Sequence, residues 1–422
     1  MKQVGIGIIG LGTVGSGVWE IIKQKGQELL ARSDVELQVL KVCDKDAARK
    51  EALGIPAATF TDSWEEVVRD PRIRIVVELI GGMHPAKEII TSALQEGKYI
   101  VTANKALLAE CGEELLSKGE IFFEASVMAG VPVVRTIKEG LVANRIEKIL
   151  GVINGTANYI LTSMERGNEY EAALKEAQEK GFAEADPSLD VEGWDSAYKL
   201  SILAYLSFGV WVKPGNMLVE GISKLMPGDI EYAHQLGYTL KLLAIGKKKG
   251  DLLELRVHPT LLPLSHSLAG VKGEFNALFI KGDEVGEITL QGKGAGSRPT
   301  ASAVVSDLVE AALFNLKGTT HAILPPSASL KLAEAQDIPL RYYIRLTALD
   351  KPGVLSRIAG ILGEKGISIA SVVQTERKEG EAVPIIMMTH EAKERNLKEA
   401  LSEIDRLSII RKETLFIRVE NF

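Results

Sequence analysis

The residue types best suited to chemistry are crowded between positions 184 and 199. They are Glu184, Asp186, Asp190, Asp195 and Lys199. Asp195 and Lys199 are four residues apart, so a helix would place them on one face. A surface salt bridge is the ordinary interpretation, but this many carboxylates repel each other unless a cation binds, and Lys199 begins a largely apolar run that would bury its stem. Carboxylates beside a lysine suit a substrate with an ammonium group and a carbonyl that gains a proton.

The second feature is a glycine turn between a predicted strand and a predicted helix, Gly10-Leu11-Gly12-Thr13-Val14-Gly15. The first glycine permits a tight turn, the second lets a pyrophosphate approach the backbone, and the third lets helix and strand pack closely. The helix would present the N–H groups of its first turn to the phosphates. In this context the motif predicts a nicotinamide dinucleotide site.

Two further sets of residues end predicted strands, at the edge of the sheet where ligands bind. Asp44 would accept hydrogen bonds from the adenosine ribose of NAD. Lys45, followed by Arg49 and Lys50, would pair with the 2′-phosphate of NADP, so the sequence leaves the cofactor open. Thr102-Ala103-Asn104-Lys105 follows a later strand, and its lysine is a candidate contact for cofactor or substrate, although a lone lysine is usually solvated.

The elements that must position these residues alternate between strands and helices from Val4 to about Phe123. Their continuous apolar, β-branched runs predict a parallel sheet covered on both faces and connected in βαβ units. We therefore predict an α/β protein whose residues 1–130 form a Rossmann-type dinucleotide-binding domain.

From residue 131 the pattern changes to an α+β region, which we predict to be a catalytic and dimerisation domain that ends at residue 320. Within it, Tyr232–Ala244 is predicted to be helical. A glycine-rich loop, Gly292–Gly296, leads through Pro299 into a helix over 297–320 that returns toward the cofactor domain.

The last part of the chain is predicted to be a separate small domain. Residues 321–340 contain several prolines and serines and are interpreted as a linker. Residues 341–422 show the order βαββαβ, with the last strand over Leu415–Val419, which is typical of a ferredoxin-like domain.

Bulk composition excludes several classes of function. The 422 residues carry a net charge of −6, which argues against nucleic acid as a partner. No apolar run of about 18 residues exists, so we expect no membrane span. The two cysteines, Cys43 and Cys111, have neither metal nor redox spacing and suit a reducing compartment. A cytoplasmic location without a signal peptide is therefore expected.

The carboxylate and lysine segment resembles a characteristic segment of homoserine dehydrogenases, and the resemblance extends over roughly residues 3–320. Other matching segments are Ile153–Ile160, Glu220–Ile222, Leu236–Leu243 and Gly292–Val304. The resemblance implies reversible, NAD- or NADP-dependent conversion of L-aspartate 4-semialdehyde and L-homoserine. This reaction leads toward threonine, methionine and isoleucine.

The resemblance also implies roles for individual residues. Lys199 matches the lysine that donates a proton to the carbonyl oxygen, and Lys105 matches a second lysine near nicotinamide and substrate. Glu184 matches the carboxylate that binds the substrate amino group, with Asp190 and Asp195 as its helpers. The loop that ends at Gly296 resembles the segment with which the family's chain returns to the cofactor domain beneath the cofactor, so Gly296 is a predicted cofactor contact. Thr102, at the end of its strand, is another.

A structural sodium ion is a further implication of the resemblance. The family binds it largely through backbone carbonyls, and the matching positions are Glu124, Val127, Ala129 and Val131. Ala129 stands where glycine is frequent, a change that a carbonyl ligand tolerates.

The C-terminal region resembles an ACT domain, through Leu349–Ala359 and Gly366–Ile369. Gly353 opens a helix whose first N–H groups would accept an amino-acid carboxylate. Because ACT domains usually pair, we expect a homodimer or homotetramer. By pathway logic the effector would be threonine, and the alternative is a dimerisation module without an effector.

Two other functions compete with this interpretation. An ACT-bearing dehydrogenase of 2-hydroxy acids would carry its glycine turn in mid-chain and use a catalytic histidine, whereas the turn here starts at Gly10. A non-catalytic amino-acid sensor would not need both Lys105 and Lys199.

Overall fold

The computed structural model describes residues 2–317, 329–374 and 380–420. Its strands are β1 (Lys2–Ile9), β2 (Val35–Cys43), β3 (Phe60–Thr61), β4 (Ile73–Glu78), β5 (Tyr99–Thr102), β6 (Ile121–Phe122), β7 (Ile146–Val152), β8 (Leu218–Val219), β9 (Tyr238–Lys249), β10 (Leu252–Pro263), β11 (Phe275–Gly282), β12 (Gly286–Lys293), β13 (Lys331–Leu332), β14 (Pro339–Leu349), β15 (Ile369–Val373), β16 (Ala382–Thr389), β17 (Ala392–Lys393) and β18 (Ile410–Val419). Its α-helices are α1 (Thr13–Ser33), α2 (Ala47–Ala52), α3 (Trp64–Arg69), α4 (Ala86–Gln95), α5 (Lys105–Leu116), α6 (Val133–Arg135), α7 (Gly155–Met164), α8 (Tyr170–Glu179), α9 (Ser188–Val191), α10 (Trp194–Phe208), α11 (Pro227–Gln235), α12 (Ser297–Lys317), α13 (Val354–Glu364) and α14 (Glu394–Asp405).

The chain forms two compact units, each made of separate stretches of sequence. Unit 1 comprises Met1–Gly155, Trp194–Met217 and Glu274–Ser329, and unit 2 comprises Thr156–Gly193, Leu218–Gly273 and Leu330–Phe422. In the described ranges, no helix is both long enough and apolar enough to cross a membrane.

Unit 1 contains a six-stranded parallel sheet in the order β3-β2-β1-β4-β5-β6. Ile6 and Ile8 of β1 are fully buried because helices cover the sheet. Helices α1 and α12 share this core. They pack so closely that a Cβ on Gly17 would lie 2.9 Å from the Cβ of Ala301. The predicted Rossmann-type parallel sheet is thus confirmed.

Three further strands of unit 1 pair antiparallel to one another, in the order β12-β11-β7. Ala277 of β11 pairs with Val152 of β7. Since antiparallel partners run in opposite directions, the next residues, Asn276 and Ile153, come together where β11 begins and β7 has ended. Helix α10 packs against α5 in the same unit, which brings the first turns of these two helices together.

Unit 2 corrects one prediction of secondary structure. The sequence pattern predicted a helix over Tyr232–Ala244, but α11 ends at Gln235, Gly237 takes a positive φ of 86°, and Tyr238 begins strand β9. Eight consecutive residues of β9 are buried. A strand covered on both faces has a continuous apolar sequence that resembles a buried helix, because no alternation marks it.

The remainder of unit 2 contains a ferredoxin-like fold in which β18-β14-β16-β15 form the sheet. Helices α13 and α14 pack on one face, where Tyr342, Ile344 and Leu346 are buried. This confirms the predicted βαββαβ arrangement. The last strand begins at Ile410, five residues earlier than predicted.

The predicted linker at 321–340 is described only from residue 329 onward, and its earlier part lies outside the described residues. Lys331 and Leu332 form β13, which pairs in parallel with β10. A 3-10 turn over Ala335–Asp337 follows, and β14 starts at Pro339. The later half of the predicted linker is therefore partly ordered by strand pairing.

Candidate active site

The glycine turn lies between β1 and α1 and has the geometry that a dinucleotide loop requires. Gly10 donates its N–H to the carbonyl of Cys43 (2.8 Å) and has a φ of 101°, which favours glycine. A Cβ on Gly15 would lie 1.9 Å from the carbonyl oxygen of Gly10. Gly12 precedes the first turn of α1, which has no side-chain cap, and the helix runs 21 residues from Thr13. The loop therefore fits a pyrophosphate.

Asp44 lies beside this turn, and backbone N–H groups fix the position of its carboxylate. Its Oδ2 accepts the N–H of Leu11 (2.6 Å), and its Oδ1 accepts the N–H of Asp46 (2.9 Å). The Arg49 guanidinium is 3.4 Å from Oδ2 of Asp44 and 3.7 Å from the Cβ position of Gly12. Lys45 is exposed. A carboxylate and an arginine thus stand together next to the glycine turn.

The end of β5 is organised by Glu78, which the sequence did not single out. The fully buried Glu78 carboxylate accepts the Thr102 hydroxyl (2.7 Å) and the N–H of Ile80 (2.9 Å). The predicted cofactor contact Thr102 therefore has its side chain committed to Glu78. Asn104 caps α5 by accepting the N–H of Leu107 (3.1 Å). Lys105 is therefore the first residue of that helix.

Asp195 is the centre of a cluster of charged side chains in unit 1. Its Oδ1 lies 2.5 Å from Nζ of Lys105, and its Oδ2 lies 2.7 Å from Nζ of Lys199. Asn154 donates to the same Oδ2 (2.8 Å). Burial alone would raise the pKa of Asp195, but the two ammonium groups outweigh it and hold that pKa well below its usual range. The carboxylate is therefore ionised and ties the two lysines together.

Lys199 has a second acceptor, the backbone carbonyl of Ile153 at 2.7 Å. The same carbonyl accepts Nδ2 of Asn276 at 2.9 Å. Neither asparagine of this site was assigned a role from the sequence. Asn154 lies in the Ile153–Ile160 segment that carried the resemblance, which was a usable signal, whereas Asn276 lies outside every segment that carried it.

The two other predicted substrate residues, Glu184 and Asp190, belong to unit 2. Glu184 is exposed, and its carbonyl accepts Nε2 of Gln178 (3.1 Å). Asp190 lies in α9, and its carbonyl accepts the N–H of Gly193 (3.2 Å). Asp186 accepts the N–H of Ser188 (3.1 Å) and so stabilises the start of α9. The structure brings Asp195, Lys199 and Lys105 together, and the roles of Glu184 and Asp190 stay predictions.

The predicted sodium residues surround a tight turn after β6. Ala129 has a φ of 37°, which fits its place at a position where glycine is frequent. The carboxylate of Glu124 accepts the N–H groups of Val134 and Arg135, each at 2.8 Å. Burial raises the pKa of Glu124. Among the described residues, no group of three or more His, Cys, Asp or Glu side chains is placed to hold a metal ion.

The remaining predicted ligand contacts are glycines at two helix starts. Gly296 has a φ of 110° and precedes α12, where Ser297 donates its hydroxyl to the carbonyl of Thr13 (2.7 Å). This bond joins the glycine-rich loop to the first turn of α1. Gly353 has a φ of 87° and precedes α13 in the ferredoxin-like fold.

Comparison with known proteins accounts for the whole chain. The family model for homoserine dehydrogenase matches residues 132–309, that for the homoserine dehydrogenase NAD binding domain matches residues 10–120, and that for the ACT domain matches residues 342–408. A homoserine dehydrogenase of Neisseria gonorrhoeae is 40% identical, and the alignment covers 100% of this chain and 99% of that protein.

Solved structures agree with these matches. A homoserine dehydrogenase from Thiobacillus denitrificans has a TM-score of 0.94 and 40% identity, with 100% of this chain and 99% of that chain covered. A hyperthermophilic archaeal homoserine dehydrogenase in complex with NADPH has a TM-score of 0.63 and 32% identity, with 75% of this chain and 98% of that chain covered. The predictions of an oxidoreductase and of a C-terminal ACT domain are thereby confirmed, and the chain belongs to the homoserine dehydrogenase family.

Proposed function

We propose that the chain interconverts L-aspartate 4-semialdehyde and L-homoserine with NAD or NADP. The observation that carries this proposal is the Asp195 carboxylate, which is buried between the ammonium groups of Lys105 and Lys199. When bound, the nicotinamide supplies hydride to the aldehyde carbon or accepts it from the alcohol carbon. Lys199 donates a proton to the carbonyl oxygen during reduction and takes it back during oxidation.

Charge at the cluster supports this role. Two ammonium groups surround one carboxylate, so the cluster has a net positive charge. Positive charge stabilises the oxygen that becomes negative as hydride arrives. The side chain of Lys105 is 42% exposed, so it can meet a ligand, while Asp195 keeps both lysines in place. We assign the substrate amino group to Glu184, with help from Asp190.

The choice of cofactor rests on Asp44 and Arg49. Both oxygens of Asp44 already accept backbone N–H groups, and the Arg49 guanidinium lies beside Gly12. A guanidinium binds phosphate well. We therefore propose that NADP is accepted at least as well as NAD, as the NADPH complex of the archaeal relative suggests.

The ACT domain is proposed to regulate the reaction. Its helix α13 starts after Gly353 and offers N–H groups to an amino-acid carboxylate. Threonine is the proposed effector, and the reaction is proposed to serve threonine, methionine and isoleucine biosynthesis in the cytoplasm. The active form is proposed to be a homodimer or homotetramer.

A sodium ion is proposed at the turn after β6. Hard cations prefer oxygen ligands, and the carbonyls of Val127, Ala129 and Val131 would hold it. Because both oxygens of the Glu124 carboxylate accept backbone N–H groups, Glu124 would attract the ion mainly through its negative charge and not as a direct ligand. Sodium-dependent protection against heat, compared with potassium at equal ionic strength, would support this site.

The direct test of the function is an assay of homoserine oxidation with NAD and with NADP. Purified protein should produce reduced nicotinamide from homoserine, and the rate should change when threonine is added. Well-folded protein that is inactive with both cofactors would overturn the proposed reaction. Activity without any response to threonine would overturn only the proposed effector.

A further inference from the structure

The carbonyl of Ile153 is shared by two donors in unit 1. Nζ of Lys199 donates to it at 2.7 Å, and Nδ2 of Asn276 donates at 2.9 Å. In the pairing of β7 with β11, Ala277 lies opposite Val152, and Asn276 and Ile153 are the next residue of each chain segment. The side chain that fixes this carbonyl therefore comes from a different strand, and the register of the sheet determines its position.

An asparagine at buried position 276 is expected to lower the stability of the fold. It is 1% exposed, and its Oδ1 has no hydrogen-bond partner among the described residues. A buried acceptor that lacks a partner destabilises a fold, so packing alone does not explain an asparagine here. The donor Nδ2 and its bond to Ile153 are what this side chain contributes.

The glycine-rich loop packs directly against the Asn276 side chain at Gly294. A Cβ on Gly294 would lie 1.9 Å from Nδ2, 2.1 Å from Cγ and 2.7 Å from Oδ1 of Asn276. These are the nearest atoms to that Cβ position. Glycine is therefore needed at residue 294 to make room for Asn276, independently of any phosphate that the loop meets.

We propose that Asn276 is a positioning residue for Lys199 and that Gly294 provides the space for it. A lysine ammonium has three N–H bonds in a tetrahedral arrangement. Two of them are directed by Asp195 and by the Ile153 carbonyl, so these two acceptors set the direction of the third. If the carbonyl shifts, the proton that Lys199 donates is misaligned with the substrate oxygen. The inference rests on the proposed role of Lys199 as proton donor.

The test uses a double-mutant cycle between Asn276→Ala and Gly294→Ala. We expect Asn276→Ala to lower kcat about 10-fold or more while KM for homoserine changes by less than about 3-fold, because positioning acts on the transition state. Gly294→Ala should have a similar effect, because its Cβ displaces the asparagine. The double variant should be no slower than Asn276→Ala, since the added Cβ at residue 294 then occupies the space that the asparagine side chain has left.

Asn276→Leu is a variant of similar shape without the donor, and it covers the case in which Asn276→Ala folds poorly. We expect it to keep the melting temperature of the parent and still to lower kcat. Leu278→Ala on the same strand β11 is the matched control, because Leu278 is also 1% exposed. It should lower the melting temperature and leave kcat of the folded protein unchanged.

Three results would overturn the inference. The first is a normal kcat in folded Asn276→Leu. The second is a double variant in which the effects of Asn276→Ala and Gly294→Ala multiply. The third is a loss of kcat in Leu278→Ala equal to that in Asn276→Leu. Lys199→Ala is measured in parallel. Normal turnover in Lys199→Ala would refute the proposed proton donor, whereas an inactive Lys199→Ala beside a fully active Asn276→Leu would refute only the positioning role.

Discussion

Two ion clusters, one in each unit, are built from similar side chains but differ in the kind of charge at their buried centre. In unit 1 the carboxylate of Asp195 contacts two lysines, Lys105 and Lys199. In unit 2 the guanidinium of Arg418 contacts two carboxylates, those of Glu220 and Glu394. The first cluster joins two lysines through one carboxylate. In the second, Glu394 also pairs with Lys398 at 2.8 Å, so two cations balance two carboxylates around Arg418.

The chemistry of the cations separates the two clusters further. Arg418 donates four hydrogen bonds of 2.6–2.9 Å, two to each carboxylate. Burial alone would lower the pKa of Arg418, but the two carboxylates outweigh it and raise that pKa above its usual value. Arginine does not release its proton, whereas lysine can. The comparison teaches that an ion cluster is a candidate for proton transfer when a carboxylate holds lysines, and is structural when carboxylates hold an arginine.

The largest effect is expected from removing the lysine of the first cluster. Lys199→Ala should lower kcat about 1,000-fold, because general acid–base catalysis contributes about 10²–10⁴-fold. Cofactor affinity should stay close to that of the parent. Steady-state kinetics with homoserine and a binding titration with the reduced cofactor would measure both. Lys213→Ala, which removes a lysine that is 66% exposed, is the control, and equal losses in both variants would contradict the assignment.

The second cluster should respond in stability and not in turnover. Glu394→Gln leaves the buried Arg418 with one carboxylate, and breaking a buried ion pair costs about 3 kcal/mol of unfolding free energy. Urea denaturation would measure this cost. Glu220→Gln is the comparison, and because the Glu220 side chain is 39% exposed, it should cost only about 1 kcal/mol. A loss of kcat in Glu394→Gln as large as that in Lys199→Ala would remove the distinction between the clusters.

The first cluster could be predicted from the sequence in part, and the second could not. Asp195 and Lys199 are four residues apart on one helix, so their contact follows from helix geometry. Asn276 is 123 residues from Ile153, and their contact depends on strand register. No spacing along the chain encodes such a contact. The same is true of Arg418, which is 198 residues from Glu220.

The fold shows the same limit. The parallel sheet of unit 1 was predicted because each strand is short, apolar and followed by a helical pattern. The first part of β9, Tyr238–Ala244, was predicted as the end of a helix, because its buried sequence has neither the period of a strand nor that of a helix. Periodicity identifies elements with one solvated face, and it fails where tertiary packing covers both.

The pH dependence of stability would sharpen the comparison for Asp195. Its folded-state pKa lies below its ordinary value near 3.8, so its contribution to stability is complete above that pH and is lost as pH falls through the folded-state pKa. Asp195→Asn lacks this contribution at every pH. The difference in unfolding free energy between the parent and Asp195→Asn should therefore be constant from about pH 5 to 8 and shrink below about pH 4. Urea denaturation across this range would measure it, and a difference that grows on acidification would contradict the proposed ionised carboxylate.

The smallest effect is expected at the partly exposed pair of Asp44 and Arg49, which tests whether an arginine outside the Arg418 cluster recognises a ligand. Arg49 is 44% exposed and lies 3.4 Å from Asp44, so part of its charge is available to a 2′-phosphate. Arg49→Ala should raise KM for NADP about 5-fold and leave KM for NAD within about 2-fold, because one exposed charge pair contributes less than about 1 kcal/mol. Lys118→Ala removes a similar charge that pairs with Glu114 and should change neither KM. Equal increases for both cofactors in Arg49→Ala would show that this arginine supports the glycine turn and does not distinguish the phosphate.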